Sequence, residues 1–288
     1  MPNTIALAKN YTSLLDEVYR NASVTADLTS DASMCRAGAN ANEIVYPQIS
    51  VTGLGEYNRN TGYTTGAVEL KWATAAFNYD RGTKIGVDVM DNEESRNLAF
   101  AKAGSTLMRE KVAPEADAFT FATLAGIDGI TKTTGTIDNA TQFLDALLTA
   151  WSEMDEDEVP AEDRLLYARA TLLNSIMSLD TTKSREVLAK FKIRKAVPQA
   201  RFYTAIDLLD GKTTGEELGH YKKAETGADM NFMIVHKPAV IKFDKHVAHD
   251  IIPAKINPDS DSDIMKYRKY GIVDAYRNKV AGIYCSHV

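Results

Sequence analysis

Two histidines three residues apart, His246 and His249, stand between Asp244 and Asp250. On a helix they would share a face and, with a third ligand, could hold zinc. The preceding Val240-Ile241-Lys242-Phe243 predicts a strand instead, and no third ligand is evident. Hydrogen-bonded or surface histidines are therefore expected. Asp259-Ser260-Asp261-Ser262-Asp263 resembles the start of a calcium loop, but Ile264 stands where the turn needs Gly and Tyr270 where a bidentate Glu is needed. A solvated loop, its Asp side chains capping local backbone, is the expectation. Asp155-Glu156-Asp157-Glu158 reads as a solvated turn rather than a source of a catalytic carboxylate. Gly53-Leu54-Gly55 is followed by Asn58 where a dinucleotide fingerprint requires Gly. There is no GxSxG, P-loop or HExxH. Cys35 and Cys285 form no CxxC pair, which argues against a cysteine zinc site or redox dithiol. Both are expected to be buried small hydrophobes. These observations predict no catalytic residue, no metal and no cofactor.

The chemistry being absent, the elements carry the argument. The 288 residues include 33 Lys+Arg and 39 Asp+Glu, a formal charge of −6 that argues against a dedicated nucleic-acid binder. A hydrophobic fraction of 44% excludes a disordered chain and supports a sizeable core. No apolar run approaches the ~18 residues of a membrane span, and no signal peptide is apparent after Met1. A soluble protein made in a cytoplasm is expected.

Residues 1–50 read as an arm, with a short amphipathic turn or two at Leu14, Leu15, Val18 and Tyr19 and a weakly patterned stretch from Thr29 to Asn42. Such an arm usually lies on something else, here a neighbouring subunit. Residues 51–91 read as a glycine-punctuated, two-stranded ribbon. Val68, Leu70 and Trp72 alternate in one strand, Ile85, Val87 and Val89 in the next, and Tyr79-Asp80-Arg81-Gly82-Thr83 supplies the hairpin turn. A helix follows from Asp91 to Val112, with a kink or restart at Pro114 and with Glu115 and Asp117 in the next first turn. The clearest helix carries Phe143, Leu144, Leu147, Leu148, Trp151 and Met154 on one stripe behind a cap at Asp138. Trp151 is its expected core anchor. Leu165-Leu166-Tyr167 reads as a buried strand, and Leu172, Leu173, Ile176 and Met177 as a short helix. Residues 194–230 read as loop-rich. Phe232–Val235, Val240–Phe243 and the stretch from Ile272-Val273 to Ile283-Tyr284 read as strands. The class is α+β.

In this order the segments resemble the major capsid protein of tailed bacteriophages. The resemblance rests on Phe77-Asn78-Tyr79-Asp80-Arg81-Gly82, Val87–Asp91 and Val112–Ala118; on Met154–Pro160 with Arg164–Ala168; and on Ala228–Phe243, Tyr267–Gly271 and Asn278–Tyr284. It implies an N-terminal arm (1–50), an extended ribbon loop (51–91), a peripheral domain with a long spine helix (92–135 and 241–288) and an axial domain (136–240). It implies hexamers and pentamers closing an icosahedral shell around double-stranded DNA bound without sequence specificity, with portal and scaffolding proteins as partners, in a virion assembled in the host cytoplasm. Trp72, Phe77, Tyr79 and Arg81 are the expected subunit-interface residues. A departure is that no charge-rich helical region precedes the arm, so a fused scaffolding domain is not expected. The runner-up is an encapsulin-like shell enclosing enzymes. A metal enzyme using His246 and His249 is a distant third.

Overall fold

A computed structural model describes residues 22–30, 36–37, 42–94, 98–179 and 181–288. The turns expected at Leu14, Leu15, Val18 and Tyr19, and Cys35, lie outside the described residues. The elements in chain order are β1 (Arg36–Ala37), β2 (Glu43–Val51), β3 (Val68–Ala76), β4 (Tyr79–Asp88), α1 (Val89–Glu94), α2 (Leu98–Leu107), α3 (Ala113–Gly126), β5 (Thr131–Thr134), α4 (Ala140–Glu156) and β6 (Arg164–Arg169). Then come α5 (Ala170–Ser178), α6 (Thr182–Ala189), β7 (Ile193–Val197), β8 (Ile206–Leu208), β9 (Tyr221–Lys223), β10 (Met230–His236), β11 (Val240–Ile252), β12 (Ser262–Ala275) and β13 (Ile283–His287). The class is α+β, and β7–β9 add order to the 194–230 stretch that reads as loop-rich.

A five-stranded sheet, in the order β5-β13-β10-β6-β7, forms the centre. Its strands β6 and β10 are buried along almost their whole length, which is why Leu165-Leu166-Tyr167 and Phe232–Val235 read as continuous apolar runs. One face, through Leu165, Tyr167, Met233 and Cys285, packs on Phe121 and Leu124 of α3. The other, through Leu166, Phe232, Ile234 and Tyr284, packs on α4, α5 and α6. The apolar stripe of α4 lies in that second core, with Phe143 and Leu147 fully buried and Trp151 8% exposed. Its N-cap is Asn139, one residue later than expected, whose Oδ1 accepts from Gln142 N at 2.9 Å. The acidic run ends α4, and Arg164, fully buried, gathers it. Its guanidinium pairs with Asp155 at 2.6 Å, donates to Pro160 O at 3.1 Å and stacks over Trp151 at 4.2 Å.

The spine runs through α2, a π-helical turn at Met108–Val112, and α3. Pro114 cannot donate to the carbonyl of Glu110 and would crowd it. The wider turn immediately before it re-routes those bonds, so the helix continues instead of breaking.

A second sheet, β11-β12-β4, lies against the spine through Met265 and Tyr267, which pack on Met108 and Val112. This corrects the expected hairpin. Tyr79–Thr83 is no turn: it is part of β4, which pairs with β12 from Tyr79↔Gly271 to Asp88↔Ser262. The strand carrying Trp72 pairs instead with β2, from Glu43↔Ala76 to Val51↔Val68. The ribbon therefore spans residues 43–76.

Truncating Trp151 to Ala removes a buried ring and the platform for Arg164. A loss of about 3–5 kcal/mol is expected, read as a fall of roughly ten degrees in the melting temperature of the unassembled subunit. An unchanged melting temperature would remove Trp151 from the core.

Candidate assembly surfaces

The β2–β3 ribbon has two unlike sides. Pro47↔Trp72, Ile49↔Leu70 and Val51↔Val68 stand directly opposite one another, so all six share one face. That face is largely open: Ile49 is 63%, Val68 72% and Trp72 48% exposed. The alternate residues include Gln48, Ser50, Glu69 and Lys71, and Lys71 pairs with Glu69 at 2.9 Å. The base is anchored through Ile44, Tyr46 and Ala75 on Ile241 and Ile272. At the tip, Gly62 takes φ +80° in a tight turn closed by reciprocal bonds with Asn58. Leu54 and Tyr63 are almost wholly exposed there. An isolated two-stranded ribbon is marginal in water, and a contiguous apolar patch of this kind marks an interaction surface.

Of the four expected interface residues, Trp72 alone lies on this face. Phe77 is partly buried, stacked on Tyr270 at 4.9 Å and edge-on to Phe243 at 5.9 Å. Tyr79 is buried against Phe119. Arg81 donates through Nε to Glu115 Oε1 at 2.7 Å and through Nη2 to the carbonyls of Leu209 (2.8 Å) and His220 (3.3 Å). It thereby ties β4, the spine and both stems of the 209–220 loop together. Burial alone would raise the Glu115 carboxyl; the nearby His220, 3.6 Å away, and the hydrogen bonds and charge of Arg81 outweigh it and hold the group below its usual range. These groups wall a cleft of about 400 Å³ between β4, the spine and that loop. Ile49 was missed because residues up to 50 read as arm, although Ile49 and Val51 alternate with the polar Gln48, Ser50 and Thr52.

The densest polar site is internal. Asp117 on α3 is fully buried. Its carboxylate accepts from Ser23 Oγ (2.7 Å), Val24 N (2.9 Å), Thr25 N (3.1 Å), Thr25 Oγ1 (2.7 Å) and Arg201 Nη1 (3.1 Å). Thr25 in turn accepts from Lys242 Nζ, at Oγ1 (2.6 Å) and at its carbonyl (2.8 Å). Burial lowers the Lys242 ammonium from 10.5 to about 8, against the pull of Asp117. Sequence reasoning saw Asp117 only as a first-turn acid, since its partners lie 84 to 94 residues away.

The residues considered for chemistry do not converge. His246 and His249 lie on β11 opposite Tyr270 and Tyr267; three apart on a strand, they point to opposite faces, and the shared helix face does not form. Asp263 accepts from Ala254 N at 2.9 Å, the local capping expected of the acidic loop. Cys285 is free and buried, its thiol pushed up to about 12 by burial. Among the described residues no three His, Cys, Asp or Glu side chains gather as metal ligands, and no helix is long and apolar enough to cross a membrane.

No family model and no curated protein matches the chain. Solved structures do. A structure from Mycobacterium phage Che8 aligns at 15% identity with a TM-score of 0.59, covering 92% of this chain and 90% of its own. The capsid of cyanophage P-SCSP1u gives 14% identity, a TM-score of 0.62 and coverages of 92% and 88%. A virus-like particle from Pyrococcus furiosus gives 10% identity, a TM-score of 0.59 and coverages of 95% and 96%. The chain has the fold of tailed-phage capsid proteins, which the virus-like particle shares.

Lys242 makes the internal network pH-dependent. With its folded value near 8 and its free value at 10.5, the unfolded chain binds more protons between them. Stability therefore rises with pH across that window, and the full penalty applies below pH 8. Lys242→Met abolishes this rise. The stability difference between wild type and variant should shift toward wild type by about 3 kcal/mol from pH 7 to 10.5, measured by denaturant unfolding of unassembled subunits. A difference that does not vary with pH would show that the ammonium is not buried.

Proposed function

We propose that the chain is a major capsid protein that assembles as hexamers and pentamers into an icosahedral shell around double-stranded DNA, in a virion built in the host cytoplasm. The observation that carries this reading is the ribbon: three cross-strand apolar rungs, contiguous along one face, are presented to solvent. Each such side chain gains roughly 1.5–3 kcal/mol on burial, and a second copy supplies the matching surface. Trp72 is the interface residue on this face; Phe77, Tyr79 and Arg81 hold the ribbon's base and β4 in place behind it. The fold shared with phage capsids supports the same reading. Portal and scaffolding proteins are its expected further partners. The division into arm (1–50), ribbon loop (51–91), peripheral domain (92–135 and 241–288) and axial domain (136–240) belongs to the proposal, with strand pairing favouring a ribbon that starts at Glu43.

The likeness to the Pyrococcus particle over 95% of this chain favours a second reading, a compartment shell enclosing enzymes. Purified particles separate the two: copurified genome-length DNA supports the first, a stoichiometric enzyme the second.

Light scattering and electron microscopy of the expressed protein should find rings or closed shells. A strictly monomeric species at all salt concentrations, with scaffold present or absent, would overturn both readings. Replacing residues 48–71 by a Gly-Ser turn, which spares β4, should leave the subunit's melting within a few degrees of wild type and abolish shells. Trp72→Ala should likewise weaken assembly with little change in subunit melting. A collapse of subunit stability in either variant would make the ribbon part of the core.

A further inference from the structure

Strand β3 is the outermost strand of its sheet, which runs β1-β2-β3. Hydrogen bonds at the two ends of the ribbon fix the phase of its ladder. Phe77 N donates to Asn42 O and Thr52 N to Ala67 O, each at 3.0 Å. Two-residue alternation then makes Gln48↔Lys71 and Ser50↔Glu69 bonded pairs between β2 and β3. The alternate residues of β3, Val68, Leu70 and Trp72, turn their backbone N–H and C=O toward the outer edge. The opposite edge is interrupted: β1 pairs with β2 as far as Val45, and the next outward residue is Pro47, which has no N–H to give. Val68 is 72% and Leu70 53% exposed, so another strand can approach β3. A long exposed edge of this kind is a template for strand addition, and its lysine, Lys71, is already matched by Glu69 at 2.9 Å.

This edge is complementary to itself when reversed. With two copies of β3 antiparallel and Leu70 opposite the partner's Leu70, Val68 faces the partner's Trp72 and Glu69 the partner's Lys71. The outward-turned residues then meet as bonded pairs, and the apolar side chains of both ribbons stay on one face. Each acid gains a base with Cβ atoms about 4.5–5.5 Å apart, while like charges lie on the diagonals at roughly 7–8 Å. Moving the centre of pairing by one residue sets Glu69 against the partner's Glu69 or Lys71 against the partner's Lys71. Moving it by two leaves both charges opposite Ala or Thr. Intermediate registers put apolar residues opposite polar ones. The charges thus select one register.

We infer that β3 of one copy pairs antiparallel with β3 of a second copy, Leu70 on Leu70, so that two ribbons become one sheet in the order β2-β3-β3-β2. The inference rests on the shell reading above and names an edge through which copies meet. Both subunits use the same element, so the contact is isologous and closes on two copies. It cannot repeat around a ring and therefore joins a copy in one ring to a copy in the next. Backbone bonds supply the affinity and the charged rungs the register. The merged sheet also answers the ribbon's own weakness, since two strands alone are marginal in water and more strands with a shared apolar face are not.

The test uses full-length subunits. Glu69→Lys and Lys71→Glu each turn both attractive rungs into repulsive ones, because the two-fold axis counts every change twice. Each should raise the subunit concentration needed for assembly, read by light scattering, by about tenfold. Subunit melting should change little, since both side chains are exposed. The double variant, Glu69→Lys with Lys71→Glu, restores opposite charges and should assemble within about twofold of wild type. The two single variants, mixed, should assemble better than either alone. Oxidation reads the register: Leu70→Cys should give a disulfide-linked dimer, since bonded pairs stand about 5.5 Å apart between Cα atoms. Ile49→Cys should not, since the two β2 strands would lie three steps of about 4.8 Å apart, roughly 14 Å. If Leu70→Cys lowers subunit melting, the charge series decides alone. Single variants that assemble like wild type, a double as defective as the singles, no link through Leu70→Cys in assembled particles, or equal linking through Ile49→Cys, as a face-to-face stack of ribbons would give, would each overturn the inference and leave the shell reading intact. Failure of wild type to assemble at any concentration would instead overturn the shell reading, and this inference with it.

Discussion

A single carboxylate organises this subunit. Asp117 sits fully buried on the spine helix, and its two oxygens take five donors from two other parts of the chain. A charge so placed is tolerated only while its partners are present. The spine must therefore lie where Ser23–Thr25, Arg201 and, through Thr25, Lys242 converge. That requirement joins an N-terminal segment, the loop after β7 and the first residues of β11 to one helix. The two-sided sheet then follows, because α3 is held against one face while α4, α5 and α6 cover the other. Arg81 and Glu115 repeat the device two residues earlier on the spine and hold the 209–220 loop.

The ribbon obeys the opposite logic. The central sheet's two faces are covered by helices; along β2 and β3 a contiguous apolar face is left to solvent by its own chain. Anchorage through Ile44, Tyr46 and Ala75 sets where the ribbon leaves the body but does nothing for its outer half. On the shell reading proposed above, folding and association are assigned to different residues. The body can be complete while the ribbon is unsatisfied, and the unsatisfied part is what a neighbour would complete.

Chains 10–15% identical to this one share its fold, and the kinds of constraint seen here explain how little sequence that demands. Buried strands need apolar residues of suitable volume, the spine needs a way past its proline, and the exposed face needs only alternation. Many sequences meet those terms.

Much of the architecture is legible locally. The stripe on α4, Trp151 as its anchor, the buried runs of β6 and β10 and the end of α4 at its acidic run all follow from spacing within a dozen residues. What spacing reports is which face of an element is apolar; it does not report what covers that face. Val68–Trp72 and Ile85–Val89 alternate equally well, so pairing them through the turn-like Tyr79–Thr83 was the local solution. Tertiary structure decided otherwise because β12 offers β4 a full-length ladder, Arg268 holds Asp80 bidentately at 2.9 and 2.7 Å, and a side chain at Gly82 would come within 2.8 Å of the Tyr267 carbonyl. The same holds for Phe77, Tyr79 and Arg81, which look like surface residues of a ribbon and become its footing. It holds most of all for Asp117, an ordinary first-turn acid by position, made into the hub of the fold by donors that lie more than eighty residues away and meet it only once the chain has closed.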